Sequence, residues 1–287
     1  MIPGFVIFLR EGVEGSMVVA ILLAYLARID RREHFRDVFL GVGAALALAL
    51  VGGLVAYLTI RAYAGSTAQT VFETVTYLLA AVLLTYMTFW MRAHARHLSR
   101  ELRQQMDQAL GRRARWSLGL VAFQAVGREG LETVVFTLAL IFTATIPGAH
   151  VPVAASSVGV LAGGALGLLA AIALAYAIYR LGRRLNLHRF FQVLGACLIV
   201  FAAGLLADSV ENLQQLGWLT VWSHPLWSTA GSLSEASPLG DVLHTFFGYA
   251  DRPTPLQLGV YAVYLLVAVA AFLGLGPRRR RDALAAG

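Results

Sequence analysis

An all-α polytopic membrane protein is the fold class this sequence predicts, on three observations. Of its 287 residues, 58% are hydrophobic and only 14% charged, whereas a soluble domain is about 25% charged. Apolar runs recur along the chain at roughly the ~20-residue length that a ~30 Å hydrocarbon core requires. Basic charge is confined almost wholly to alternate gaps between those runs. A soluble enzyme and a singly anchored chain are therefore excluded. The first residues carry no basic n-region and Arg10-Glu11 interrupts the apolar stretch, so no cleaved signal peptide is expected. The single cysteine, Cys197, provides neither an internal disulfide nor a Cys-based metal site.

The predicted spans lie at about 4–27, 38–60, 70–91, 116–143, 153–179, 189–213 and 257–274. R-I-D-R-R-E-H-F-R-D closes the first run and Arg61 follows the second. Seven arginines from Arg92 to Arg115 follow the third. I-P-G-A-H-V-P closes the fourth and R-L-G-R-R-L-N-L-H-R the fifth, and a long gap at about 214–256 precedes the last. All 23 basic residues are arginine, and 19 fall in gaps one, three and five and in the tail at 278–287. The positive-inside rule then sets seven helices with the N-terminus out and the C-terminus in, in the cytoplasmic (inner or plasma) membrane. Basicity is thus a topology signal, and nucleic acid is not an expected partner. Trp90 and Trp116, and Trp218, Trp222 and Trp227, fall where interfacial anchors belong.

Two further arginines lie inside predicted spans. Arg10 opens R-E-G-V-E at 10–14 and Arg128 opens R-E-G-L-E at 128–132, an offset of 118 residues. The same offset relates Gly41, Ala45 and Ala49 to Gly159, Gly163 and Gly167, and Phe72 and Val75 to Phe190 and Val193. Small residues at four-residue spacing let helices approach closely in lipid. The first three helices (repeat 1, about 4–91) and the next three (repeat 2, about 116–213) read as one duplicated unit, with helix 7 added. Three is odd, so the second copy crosses the bilayer in the opposite sense, an inverted repeat of the transporter kind.

On a helix, Arg10 and Glu14 lie about 40° apart, and Glu11 and Glu14 about 60°. Both carboxylates share a face with the guanidinium one turn from the second of them, and Arg128, Glu129 and Glu132 repeat the arrangement. Each ionised residue at mid-membrane costs about 2.5–3.5 kcal/mol, so six cost on the order of 15–20 kcal/mol before pairing. One reading makes them inter-helix staples. The other, favoured by the duplication and a net charge of −2 over the two motifs, makes Glu11, Glu14, Glu129 and Glu132 a cation site supported by Arg10 and Arg128. Oxygen-only donors suit Fe(III), Mn(II), Mg(II) or Ca(II) and match Cu(I) poorly. Glu-x-x-His pairs of a di-iron enzyme and an H-E-x-x-H zinc-hydrolase string are both absent. The sequence therefore reads as a permease, not an enzyme, with the ion as cargo and no cofactor.

The paired motifs, F-E at Glu73, F-W-M-R from Phe89 to Arg92, A-A-G-L at 202–205 and F-G-Y followed by Pro253 resemble the oxidase-dependent iron transporter family. That family includes the fungal high-affinity iron permeases and the bacterial EfeU-type permeases, and the resemblance covers nearly the whole chain. It implies Fe(III) import, an extracytoplasmic oxidase or iron-binding protein as partner, and the six motif residues as the permeation site. The stretch Asp208 to Gly217, D-S-V-E-N-L-Q-Q-L-G, departs from the family pattern: Glu211, Asn212 and Gln215 stand where a His-Glu pair and a later Glu are common.

Glu73, Asp208 and Glu211 fall at outer helix ends and form a candidate capture site; solvated helix ends are the plainer reading. His94 and His97 read as part of a solvated connector, and His150, His224 and His244 carry little weight. L-T-V-W-S-H-P-L-W at 219–227 is expected to form a short interfacial helix that caps the outer face. Two alternatives share this architecture: a permease for Mn(II), Fe(II) or another hard or divalent cation, and a membrane metal sensor that binds without moving the ion.

Overall fold

The structure, a computed structural model, describes residues 2–63, 65–94, 102, 104–108, 116–143, 153–181, 187–235 and 237–273. Its long helices are α1 (Ile2–Arg28), α2 (Phe35–Ala62), α3 (Thr67–His94), α4 (Trp116–Thr143), α5 (Val153–Leu181) and α6 (Leu187–Gln215). A ten-residue α7 (Pro238–Phe247) and a final α8 (Pro255–Phe272) follow. Among the described residues there is no strand. Four helices there are long and apolar enough to cross a membrane: Arg32–Ala62, Thr67–Met91, Gln192–Gln215 and Pro255–Phe272, at mean hydropathy 2.5, 1.5, 2.2 and 1.9. α1 and α4 are as long, at 27 and 28 residues, but each carries three charged motif residues. His97, His150, Arg96 to Arg115, Arg183, Arg184 and the arginines of the tail lie outside the described residues.

The chain forms two compact units. The first joins α1, α2, α5 and nearly all of α4 with residues 102 and 104–108 between α3 and α4. Within it the small-residue rows set the partners. On α1, a Cβ at Gly4 would stand 2.7 Å from the Val160 carbonyl oxygen, and one at Gly12 would stand 2.8 Å from the Ala171 Cβ. α5 answers with Gly167, where a Cβ would come within 2.4 Å of the Phe5 oxygen. On α2, a Cβ at Gly41 would meet the Gly119 oxygen of α4 at 2.0 Å. Each R-E-G-x-E helix thus lies against a helix that carries one of the Gly/Ala rows, α1 on α5 and α4 on α2. Beyond these contacts, Val18, Leu22 and Leu26 of α1 form one apolar core with Val38, Ala45, Leu118, Ala122, Leu102 and Met106. Tyr25 of α1 donates a hydrogen bond to Asp107 of the connector. The opposite face of α2 exposes Leu46, Leu50, Val51, Leu54, Val55 and Leu58, Leu50 by 74%, as a lipid-facing surface does.

The second unit joins α3, α6, α7 and α8. Gly195 of α6 lets Thr88 of α3 and Phe272 of α8 approach, Phe89 and Phe272 pack edge to face at 6.4 Å, and Thr85 shares a 2.5 Å hydrogen bond with Tyr264. The segment after α6 differs from the expected cap. Residues 219–227 form turns and extended chain, with Trp218, Trp222 and Trp227 exposed. The helix lies instead at Pro238–Phe247. The physical reason is in the end signals: Ser237 accepts a hydrogen bond from the Gly240 amide at 3.0 Å, Pro238 opens the helix, and Gly248 closes it at φ +65. The 219–227 string has no such caps and is broken by Pro225. Gly248 also abuts Gly204 of α6, where its own Cβ would stand 2.4 Å from the Gly204 Cα.

α8 begins with a capping box in which Thr254 Oγ1 accepts from the Gln257 amide at 3.3 Å and Gln257 Oε1 accepts from the Thr254 amide at 2.8 Å. Thr254 also donates to Gln214 at 3.0 Å, tying α8 to the end of α6. Thr254→Ala should cost about 1–2 kcal/mol through the lost cap. Faster amide exchange confined to the first turn of α8 is the expected readout; unchanged exchange there would show that the cap contributes nothing.

Candidate functional site

The α1 motif is buried: Arg10, Glu11 and Glu14 are at most 5% exposed. Helical spacing puts the three on one face, and they pair within their own helix. Arg10 Nη1 donates to Glu11 Oε1 at 2.8 Å. Arg10 Nε lies 3.0 Å from Glu14 Oε1, an ion pair by distance although the atoms are not aligned for a hydrogen bond. In α4, Arg128 Nε donates to Glu132 Oε1 at 3.1 Å. The two copies differ in their surroundings, since the Arg128 side chain is 41% exposed and that of Arg10 only 3%.

The motifs meet inside the first unit. Glu11, Glu14 and Glu129 each present a carboxylate oxygen, all within 4.8 Å of one another. Glu132, 6% exposed, joins them electrostatically, and Arg10 lies in the field of all four glutamates. Glu11 Oε2, Glu129 Oε2 and Glu132 Oε2 are buried with no hydrogen-bond partner. A buried acceptor without a partner costs about 1–3 kcal/mol, more when charged. A multivalent cation satisfies several such oxygens together, and three carboxylates at this spacing form a ligand set for one. Gly12 and Gly130, between the carboxylates, are where the neighbouring helices come close: a Cβ there would meet Ala171 at 2.8 Å and Ala49 at 3.1 Å.

The three candidate capture residues lie in the second unit. Glu73 is half-buried and accepts from Gln69 Nε2 at 2.7 Å. Glu211 is held by two amides, Gln257 Nε2 at 2.8 Å and Gln215 Nε2 at 3.1 Å. Asp208, one turn before it, is buried and lies in the field of His244. Buried Tyr77 of α3 lies in the field of Asp208, Glu73 and Glu211, so the three share a neighbourhood. Two residues that sequence reasoning passed over belong there as well. His244 of α7, also buried, has its Nδ1 2.8 Å from the Tyr249 carbonyl oxygen. Burial opposes its charge, but the carboxylates of Asp208 and Glu235 outweigh that and hold it above the usual histidine value. Burial pushes Glu235 above the usual glutamate range. The legible signal for His244 was its position in the last turn of a capped amphipathic helix.

Long apolar helices and a buried cluster of acidic side chains with their own arginines define an integral membrane protein of the permease class. The model of the Iron permease FTR1 family matches residues 1–277. The ferrous iron permease EfeU of Escherichia coli O6:H1 is 34% identical over 280 residues, 97% of each chain. The protein of that name from Yersinia pestis is 34% identical over 283 residues, covering 97% of this chain and 95% of its own. That of Shigella sonnei is 34% identical over 280 residues, 97% of each. No solved structure matches. The chain belongs to the iron permease family, and it is a transporter and not an enzyme.

Proposed function

We propose that this protein imports iron through the carboxylate cluster of α1 and α4, with Glu11, Glu14, Glu129 and Glu132 as ligands and Arg10 and Arg128 as supports. The observation that carries the reading is the convergence of Glu11, Glu14 and Glu129 oxygens within 4.8 Å in a buried setting. Family membership supplies the ion. The wider frame is seven spanning helices, N-terminus out and C-terminus in, with two inverted three-helix repeats; the arginine alternation and the reciprocal packing of α1 on α5 and α2 on α4 support it. Repeat 1 covers about 4–91 and repeat 2 about 116–213, followed by an extracytoplasmic segment to about 256 and a basic cytoplasmic tail. The membrane is the cytoplasmic one.

An ion reaching the outer face is gathered by Glu73, Asp208 and Glu211, sheds water, and is held by the four glutamates. The arginines favour the ionised form of these carboxylates, orient them and weaken the trap enough for release. The oxygen-only donor set favours Fe(III) as the transported species. An inside-negative potential supplies about 2.3 kcal/mol per charge per 100 mV, so about 7 kcal/mol for a trivalent ion. An extracytoplasmic oxidase or iron-binding protein is then the partner that delivers it. A second reading, Fe(II), is favoured by the ferrous iron permease name of the relatives. Flux of radioactive iron into liposomes loaded with the purified protein separates the readings. Uptake from ferric citrate that ascorbate suppresses supports Fe(III), and uptake that appears only with ascorbate assigns Fe(II). Binding without flux in either state makes the protein a sensor.

A further inference from the structure

We propose that Leu102 and Met106, between α3 and α4, form the inner gate of the ion pathway, closed here and latched by the hydrogen bond from Tyr25 to Asp107. The inference rests on the permease reading, because it assigns the step that follows capture by the carboxylate cluster. In α1, Val18, Leu22 and Leu26 follow Glu14 at intervals of four residues, each about 40° around the helix from the last. In α4, Val126, Ala122 and Leu118 precede Glu129 by three, seven and eleven residues, again along one face. All six are buried and belong to one apolar core. From Glu14 to Leu26 the helix runs about 18 Å, more than half of a ~30 Å hydrocarbon core. These six side chains offer no ligand atom, and an ion stripped of water and ligands cannot cross apolar packing of that depth.

Leu102 and Met106 enter this core at its far end from the carboxylates. They stand one helical turn apart, both buried, and they come from the arginine-rich gap between apolar runs. By the positive-inside rule that end is cytoplasmic. Their withdrawal opens the core without separating α1 from α5 or α2 from α4, whose backbones are closely apposed. Apolar constrictions gate pores in this way, by excluding water until they part. Tyr25 precedes Leu26 and Asp107 follows Met106, so their hydrogen bond sits beside the plug. It is exposed, and an exposed hydrogen bond exchanges readily for one to water.

The test uses the full chain with Cys197→Ser and a reporter, Val126→Cys, in inside-out vesicles with radioactive iron in the lumen. A charged, membrane-impermeant methanethiosulfonate then attacks from the cytoplasmic face. At rest the reporter should be protected. Tyr25→Phe deletes the donor but keeps the ring, and should raise the labelling rate about 2- to 10-fold, as loss of one hydrogen bond allows. Met106→Ala should raise it further, whereas Asp107→Asn retains an acceptor for Tyr25 and should label near the parent rate. Lumenal ferric citrate or ferrous ascorbate should also raise labelling with the gate residues intact, because transport opens the gate and a static core does not respond. A reporter labelled at rest overturns the gate, as does protection that survives both Tyr25→Phe and Met106→Ala. Iron release with no change in labelling overturns it too, and all three results leave the permease reading in place. Equal labelling of the variants from the outer face marks a loosened fold and also overturns the gate. Absence of iron release by the wild type sinks the permease reading itself.

Discussion

Glu14→Ala and Glu132→Ala should each lower iron uptake by about 10- to 150-fold while the protein still reaches the membrane. Removing a charged ligand or its hydrogen bond costs about 1.5–3 kcal/mol, and a pathway with one central site has no substitute for it. The fold should survive, because Arg10 retains its 2.8 Å bond to Glu11 when Glu14 is lost. Glu132 is the sterner case, since its removal leaves the half-exposed Arg128 without that carboxylate. Radioactive iron uptake normalised to membrane-embedded protein checks both. Wild-type rates in the two variants exclude these glutamates as essential ligands.

Gly167→Leu should prevent α1 and α5 from docking. Even its Cβ would come within 2.4 Å of the Phe5 oxygen and 2.9 Å of the Leu9 nitrogen, both backbone atoms that cannot swing aside. Separating the helices uncovers Arg10, Glu11 and Glu14 and forfeits the contacts that small residues supply in lipid. We expect the monodisperse peak in detergent to collapse and uptake to vanish. Gly43→Ala and Gly52→Ala are the controls: nothing lies within 4 Å of either added Cβ, and each should gain about 0.5–1 kcal/mol from lower backbone freedom in the unfolded chain. A well-folded Gly167→Leu protein would show that this close approach is dispensable.

Much of this was readable before any coordinates. Apolar run length placed the last helix at 257–274, and the structure has it at Pro255–Phe272, the small shift set by the Thr254 capping box. The charged motifs were legible because ionised groups inside apolar runs are costly, and the 118-residue offset marked them as a pair. Which helices would pair was not legible. The Gly/Ala rows announced close packing without naming partners, and the choice of α5 for α1 depends on atoms about 160 residues away in sequence, such as Gly167 against Phe5. The segment between α6 and α8 was misread because its tryptophans drew the helix to 219–227, while the decisive signals were the less conspicuous Ser237, Pro238 and Gly248. His244 was missed with it, since a lone histidine has no significance until Tyr249 and Asp208 are placed around it.

The reciprocal docking of α1 on α5 and α2 on α4 bears on how the chain is made. About 125 residues separate the end of α1 from the start of α5. At a synthesis rate of ~5–20 residues per second, α1 waits roughly 6–25 s beside the translocon before its partner emerges. During that interval its Arg10 already neutralises part of Glu11 and Glu14 within the same helix. Pairing inside one helix thus offsets part of the cost of two acids in lipid during the time that α1 has no α5 to pack against.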